Sequence, residues 1–165
     1  MIKENINKIL FYLFIFIFVF AFDRISKLYI LNLSTIEQVD IYISSFLNLY
    51  LIWNTGVGFG LFSLNEPFYY NLVTILIVFI NIFLLTMIFK SKKYKIFFLT
   101  IILGGSTGNL FDRLYYKAVP DFIDMHYQNY HWFVFNIADV FITIGILCLI
   151  FDEIFIKDRK FSNDL

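Results

Sequence analysis

The stretch GGSTGNLFDR, residues 104–113, ends an apolar segment that reads IFFLTIIL at residues 96–103. Asn109, Asp112 and Arg113 stand at i, i+3 and i+4, which places them on one face of a helix. The three glycines allow a neighbouring helix to approach closely, as small residues do in membrane bundles. The stretch therefore predicts a buried membrane helix with three polar groups at its outer rim. A plainer alternative is an interfacial cap, in which Asp112 and Arg113 pair with each other or with lipid headgroups.

The composition extends this interpretation to the whole chain. Hydrophobic residues make up 60% of the 165 positions, against about 45–50% in a soluble domain. We therefore predict one membrane all-α domain over residues 1–165, a four-transmembrane-helix bundle with a small extracytoplasmic β-sheet between helices 1 and 2. The predicted helices cover about 9–31, 68–89, 95–113 and 132–156. The net charge of zero gives no indication of a nucleic-acid partner.

The distribution of basic residues predicts the orientation. Nine of the 13 lie at the two termini or in the loop between helices 2 and 3: Lys3, Lys8, Lys90, Lys92, Lys93, Lys95, Lys157, Arg159 and Lys160. The segment 28–67 contains no lysine or arginine. Because basic residues near helix ends stay in the cytoplasm, both termini should be cytoplasmic and the connections 1–2 and 3–4 should face outward.

The connection between helices 1 and 2 contains a strand pattern. Residues 47–54 alternate, with Leu49 and Leu51 on one face and Asn48 and Tyr50 on the other, which is the period of a half-buried strand. The glycine-rich NTGVGFG that follows suits a turn or bulge. We expect an outer β segment at about 41–62, acting either as a lid or as a cradle for an extended peptide.

Two further helices carry polar groups at the outer side. Asp23 and Lys27 stand at i, i+4 on helix 1, a spacing that permits an ion pair. Asn136 and Asp139 stand at i, i+3 on helix 4. Counted from Trp132, Asp139 lies about 10 Å into that helix at about 1.5 Å per residue. An ionisable group at such a depth is a functional hypothesis by default.

The connection between helices 3 and 4 is expected to be an outer loop. Pro120 stiffens the approach to Asp121, and Asp124 is interpreted as a solvated loop residue. His126 and His131 stand alone, without further His or Cys at ligand spacing. We therefore predict no metal site.

Other chemistries are poorly supported by the residues present. Ser26 and Lys27 are neighbours and point about 100° apart on a helix, which disfavours a Ser–Lys protease. Cys148 is surrounded by apolar residues and is expected in the core. The alternative outside enzymology is a small membrane transporter or a lipid-binding assembly factor. A transporter usually holds its ionisable groups near the membrane midplane, whereas these cluster toward the outer side.

Five motifs together resemble the lipoprotein signal peptidase family, the type II signal peptidases of bacteria. They are Asp23-x-x-Ser26-Lys27, Asn54-Thr55-Gly56, GNLFDR at 108–113, VPDF at 119–122 and FNIAD at 135–139. The resemblance implies an aspartic endopeptidase of the cytoplasmic (inner) membrane with its active site at the outer face. It also implies removal of the signal peptide from lipid-modified prolipoproteins, before the diacylglyceryl-cysteine, without a cofactor.

The resemblance also assigns residues. The catalytic pair falls on Asp121 and Asp139. Supporting or substrate-binding positions fall on Asn54, Asn109, Asp112, Arg113, Asn136, Asp23 and Lys27, and the asparagines among them can either position the substrate backbone or hold the aspartates. Two close carboxylates in a site of low dielectric constant share one proton. The implied partners are the prolipoprotein and membrane lipid, and we expect the protein to act as a monomer.

Overall fold

The computed structural model describes residues 2–56, 67–92, 94–128 and 130–156. These residues form four α-helices and a four-stranded antiparallel sheet. The helices are α1 (Ile2–Ser34), α2 (Pro67–Lys90), α3 (Tyr94–Tyr116) and α4 (Ile137–Phe151), and α4 continues into a π-helical turn, Asp152–Ile156. The strands are β1 (Asp40–Ser44), β2 (Leu47–Asn54), β3 (Val119–Tyr127) and β4 (Tyr130–Phe135), ordered β1-β2-β3-β4 in the sheet.

Helix α3 is the centre of the bundle, because it packs against α1, α2 and α4. Two of its glycines allow neighbouring helices to approach closely. A Cβ atom at Gly104 would lie 3.0 Å from the side chain of Val19 on α1, and one at Gly105 would lie 2.7 Å from the carbonyl oxygen of Ala138 on α4. Small residues at these positions therefore set how closely α1 and α4 approach the central helix.

The outward faces of α1 and α2 are apolar. Phe14, Phe79 and Phe83 are among many large hydrophobic side chains that remain more than half exposed. Two helical segments, Ile6–Ser34 and Phe68–Lys90, are long and apolar enough to cross a membrane by length and composition. Exposed hydrophobic surface of this extent is expected of a protein whose solvent is lipid.

The sheet lies at one end of the bundle. Helix α1 leads into β1, α3 leads into β3, and β4 leads into α4, so all three helices meet the sheet at the same end. Ile30 of α1, Val39 and Phe122 of β3 form a buried apolar cluster that joins the two parts. This joint places the carboxyl end of α3 and the first turn of α4 beside β3.

Two sequence predictions about this region are wrong in part. The sheet does not arise only between helices 1 and 2, because β3 and β4 come from the connection that was expected to be a loop. Helix 4 does not begin at Trp132. The aromatic run at 130–135 pairs with β3 instead, as aromatic residues favour strands, and Asn136 then caps the helix.

The predicted strand at 47–54 is confirmed as β2. Its strict alternation is interrupted, because the pairing with β3 shifts register between Leu49 and Ile52. The start of the predicted outer β segment, residues 41–44, lies in β1. Its end, residues 57–62, lies outside the described residues.

Candidate active site

Asp121 is held by two side-chain amides. Asp121 is the third residue of β3 and is only 1% exposed. Its Oδ1 accepts a hydrogen bond of 2.6 Å from Nδ2 of Asn136, and its Oδ2 accepts one of 2.8 Å from Nδ2 of Asn54. Asn54 is the last residue of β2 and pairs with Val119 across the ladder, so the sheet brings it beside Asp121. Each carboxylate oxygen keeps capacity for a further hydrogen bond.

Asp139 lies in the first turn of α4. Its Oδ2 accepts a hydrogen bond of 3.2 Å from the backbone N–H of Asn136, and its own N–H donates to Oδ1 of Asn136 at 3.2 Å. This reciprocal arrangement is a capping box. The other oxygen, Oδ1, accepts from Nδ2 of Asn109 on α3 at 2.8 Å. The predicted depth of about 10 Å is therefore wrong, because the residues from which it was counted form β4.

Asn136 connects the two aspartates. It is fully buried, and its amide group donates to Asp121 while its amide oxygen accepts from Asp139. Both carboxylates line one cavity of about 280 Å³. The other residues around it are Asn54, Ile77, Ser106, Asn109, Arg113, Val119, Asn136, Ile142, Thr143 and Ile146. The cavity thus has a polar end at the aspartates and an apolar wall of isoleucines.

The environment of Asp121 favours its protonated form. The pKa of its carboxyl is raised from 3.8 to about 7, first because burial disfavours the charged form and second because the negative charge of Asp139 is close. Hydrogen bonds from Asn136 and Asn54 and the positive charge of Lys27 oppose this rise. At neutral pH, Asp121 is therefore poised between the protonated and the ionised state.

A buried lysine orients the asparagine that holds Asp139. Nζ of Lys27 lies 2.9 Å from Oδ2 of Asp23, 2.7 Å from Oδ2 of Asp112 and 2.8 Å from Oδ1 of Asn109. An ammonium group has three N–H donors, and all three are used. Because the oxygen of Asn109 accepts from Lys27, its NH₂ group is directed toward Asp139.

Asp23 ties helix α1 to the beginning of α4. Its Oδ1 accepts a hydrogen bond of 3.0 Å from the backbone N–H of Ala138, one of the first N–H groups of α4, which have no partner within the helix. A Cβ atom at Gly108 would lie 2.5 Å from Oδ2 of Asp23. The last glycine of the stretch GGSTG is therefore needed to admit this carboxylate.

Asp112 and Arg113 do not pair with each other, which contradicts the plainer alternative for the α3 rim. Asp112 binds Lys27 and also Arg24, whose guanidinium lies 2.5 Å from Oδ1. Arg113 donates to the carbonyl oxygen of Gly56, and its guanidinium lies 5.9 Å from the ring centre of Tyr70.

Three of these partners were not singled out as site residues from the sequence. Arg24 could have been recognised, because it is adjacent to Asp23 in a helix with few other charges. Gly56 acts through its backbone carbonyl. Tyr70 donates to the carbonyl oxygen of Arg113 at 2.8 Å from the first turn of α2. No local pattern indicates either contact, since both join elements far apart in the sequence.

Asp124 is not the solvated loop residue that was expected. It is 2% exposed, and its Oδ2 lies 2.8 Å from Nδ1 of His131. His126 and His131 are likewise not isolated, because they are register partners on β3 and β4 with ring centres 5.3 Å apart. Asp124 lines a different cavity from Asp121, since positions an odd number apart on a strand point to opposite faces.

Proteins of known family align with this chain over most of its length. A lipoprotein signal peptidase of Pelagibacter ubique (strain HTCC1062) is 51% identical over 161 residues, which cover 97% of each chain. The lipoprotein signal peptidase of Anaplasma phagocytophilum (strain HZ) is 40% identical over 134 residues, covering 81% of this chain and 85% of the relative. A solved bacterial membrane enzyme superposes with a TM-score of 0.70 at 30% identity, covering 88% of this chain and 93% of the other.

The family comparison agrees with these relatives. The model of the signal peptidase (SPase) II family matches residues 15–155, a range that contains both aspartates, the three asparagines around them and the buried lysine. The matching solved structures are of bacterial membrane enzymes, and together with the family match they class this chain as a bacterial membrane protein. The chain belongs to the signal peptidase II family.

Proposed function

We propose that Asp121 and Asp139 are the catalytic pair of an aspartic endopeptidase that removes signal peptides from lipid-modified prolipoproteins. The observation that supports this proposal is a pair of carboxylates that line one cavity and that both accept hydrogen bonds from one buried asparagine, Asn136. The names of the relatives support the substrate class.

The chemistry requires the two carboxylates to be in different protonation states. The ionised one takes a proton from water as the water oxygen attacks the scissile carbonyl carbon. The protonated one donates a hydrogen bond to the carbonyl oxygen as negative charge develops there, and it later helps to protonate the leaving amine. A pKa of about 7 for Asp121 suits this exchange, because the carboxyl can hold or release its proton near neutral pH.

The neighbouring residues position this pair. Asn54 and Asn136 hold the two oxygens of Asp121, and Asn109 holds Asp139. Lys27 acts through Asn109 and is a positioning residue. The apolar wall of the cavity, with Ile142 and its neighbours, offers a contact for the hydrophobic part of a signal peptide or for the lipid on the substrate.

The orientation in the membrane is part of the same proposal. Four helices span the inner membrane as one monomeric domain, with both termini in the cytoplasm and the sheet outside. Lys90, the last residue of α2, and Lys92, in the loop before α3, lie at the end of the bundle opposite the sheet. This basic bias supports a cytoplasmic loop. The catalytic cavity then faces the outer side.

Reporter fusions test this orientation. A reporter enzyme that works only in the cytoplasm should be active when joined after Lys92. A reporter enzyme that works only outside the cytoplasm should be active when joined after Gln128. The reverse pattern would contradict the proposed side of the active site.

Replacement of either aspartate should stop cleavage. Asp121→Asn and Asp139→Asn keep the size of the side chain but cannot share or transfer a proton, so cleavage should fall by at least about 100-fold. The measurement is release of signal peptide from a lipid-modified prolipoprotein by the purified protein. Asp124 is unsuitable as the control, because it is buried and hydrogen-bonded.

The matched control is Asp40→Asn, the same chemical change at an exposed position of β1 in the same sheet. This variant should cleave at close to the wild-type rate. Near wild-type cleavage by either catalytic-pair variant would contradict the aspartic mechanism.

The raised pKa of Asp121 predicts how stability depends on pH. The folded protein holds this proton up to about pH 7, whereas the unfolded chain releases it near the ordinary pKa of an aspartate, 3.8. The contribution of this group to stability is therefore fully present below about pH 4 and is lost as pH rises through 7. An asparagine in place of Asp121 does not ionise, so the Asp121→Asn variant should not lose this contribution. Between pH 4 and 8, the unfolding temperature of the variant in detergent should therefore rise relative to that of the wild type. If the unfolding temperatures of the two proteins changed in parallel with pH, the raised pKa of Asp121 would be contradicted.

The buried ion pairs give another test. Lys27→Met leaves Asp23 and Asp112 with one balancing charge between them, Arg24, and should lower the free energy of unfolding by about 3–5 kcal/mol. Lys27→Met combined with Asp112→Asn restores the charge balance and should recover part of that loss, measured by unfolding in detergent. If the double variant were no more stable than the single one, the unpaired charge would not be the cause.

A further inference from the structure

A carboxylate and two imidazoles converge on the sheet, away from the catalytic cavity. Asp124 and His126 come from β3 and His131 comes from β4, and we refer to these three as the histidine cluster. One ligand atom of each residue lies within 4.8 Å of the others. Asp124 and His126 are two residues apart on β3, where the ladder with β4 shifts register between Met125 and His126, and His131 is the partner of His126 on β4. The hairpin thus brings the three side chains together.

The distances within the histidine cluster suit a metal ion. Oδ2 of Asp124 lies 2.8 Å from Nδ1 of His131 and 3.8 Å from Nδ1 of His126. Zinc bonds of about 2.0–2.1 Å in a tetrahedral arrangement separate neighbouring ligand atoms by about 3.3 Å. The two observed distances lie on either side of this value, and the remaining pair of ligand atoms lies within 4.8 Å.

The second observation is that several polar atoms of the histidine cluster and its neighbour Asn48 are buried without a hydrogen-bond partner in the described part of the chain. Nδ1 of His126 and Oδ1 of Asp124 are buried and have no hydrogen-bond partner among the described residues, although the two side chains are only 9% and 3% exposed. Oδ1 of Asn48, which is the register partner of Asp124 on β2, is buried in the same state. A buried polar atom without a partner is costly, and a cation held among these side chains would reduce that cost.

Access from solvent is open at this point. The side chain of His131 is 58% exposed, and it borders a cavity of about 400 Å³ together with Asn48 and Asp124. A metal ion could therefore reach the cluster without passing the catalytic aspartates.

We propose that Asp124, His126 and His131 bind a divalent transition-metal ion of the zinc type, with the amide oxygen of Asn48 as a further ligand. Two imidazoles and a carboxylate are a donor set that such ions prefer. The ion would link β3 to β4, and through Asn48 to β2. It would thereby stabilise the sheet that carries Asp121, without taking part in peptide hydrolysis.

The test uses the full chain without a polyhistidine tag, purified in detergent and stripped with a chelator that is then removed. The protein has two histidines in total, so any imidazole ligand must come from the histidine cluster. Calorimetric titration with Zn²⁺ should give one ion per chain, and saturating Zn²⁺ should raise the unfolding temperature.

Variants assign the bound ion to its place. His126→Gln combined with His131→Gln should weaken Zn²⁺ binding by at least about tenfold, the cost of losing even an outer partner of a metal site. His131→Gln alone should do so too, and its exposed position keeps the variant folded. Asp121→Asn combined with Asp139→Asn should bind Zn²⁺ as the wild type does.

Three results would overturn the proposal. They are the absence of stoichiometric binding by the wild type, undiminished binding by His131→Gln, and loss of binding in the Asp121→Asn, Asp139→Asn variant, which would place the ion at the catalytic pair.

Discussion

The ammonium group of Lys27 is the contact on which the arrangement of the site depends. Burying a charge is tolerated only when it is paired and hydrogen-bonded, and here each N–H of the ammonium meets an oxygen on α1 or α3. An ammonium group can only donate, so the atom of Asn109 that faces it must be the amide oxygen, and this determines the direction of the Asn109 amide. The same lysine therefore balances the buried charges of α1 and α3 and, through Asn109, positions Asp139.

A second constraint is how the helices are held together near the sheet. A membrane bundle has little hydrophobic driving force between its helices, because lipid is as apolar as their side chains. Close approach through Gly104, Gly105 and Gly108 and the buried ion pairs replace that force near the sheet. The sheet then supplies Asp121 from β3 and Asn54 from β2, and Asn136 at the start of α4 holds Asp121.

The sequence predicted well what depends on local spacing and recognisable motifs. The central helix follows from the small residues and polar face of residues 104–113, and β2 follows from alternation at 47–54. The membrane class follows from the long apolar segments. The assignment of Asp121 and Asp139 came from motifs, and the structure places both at one cavity.

What could not be predicted depends on pairing between distant parts of the chain. Residues 130–135 are apolar and aromatic enough to begin a membrane helix, and only the partner strand β3 makes them a strand. Asp124 and His131 were judged separately for the same reason. Their proximity follows from the register of a hairpin that was expected to be a loop.

Asn136 occupies the joint between β4 and α4, where it caps the helix and holds Asp121. Helix ends open more readily than helix centres, with free energies below that of global unfolding. Fraying of the first turn of α4 would break the capping box and separate Asp139 from Asp121 while the bundle stayed intact. Local opening at this helix end would therefore dismantle the arrangement of the two aspartates without global unfolding, and hydrogen exchange at the N–H of Asp139 would report it.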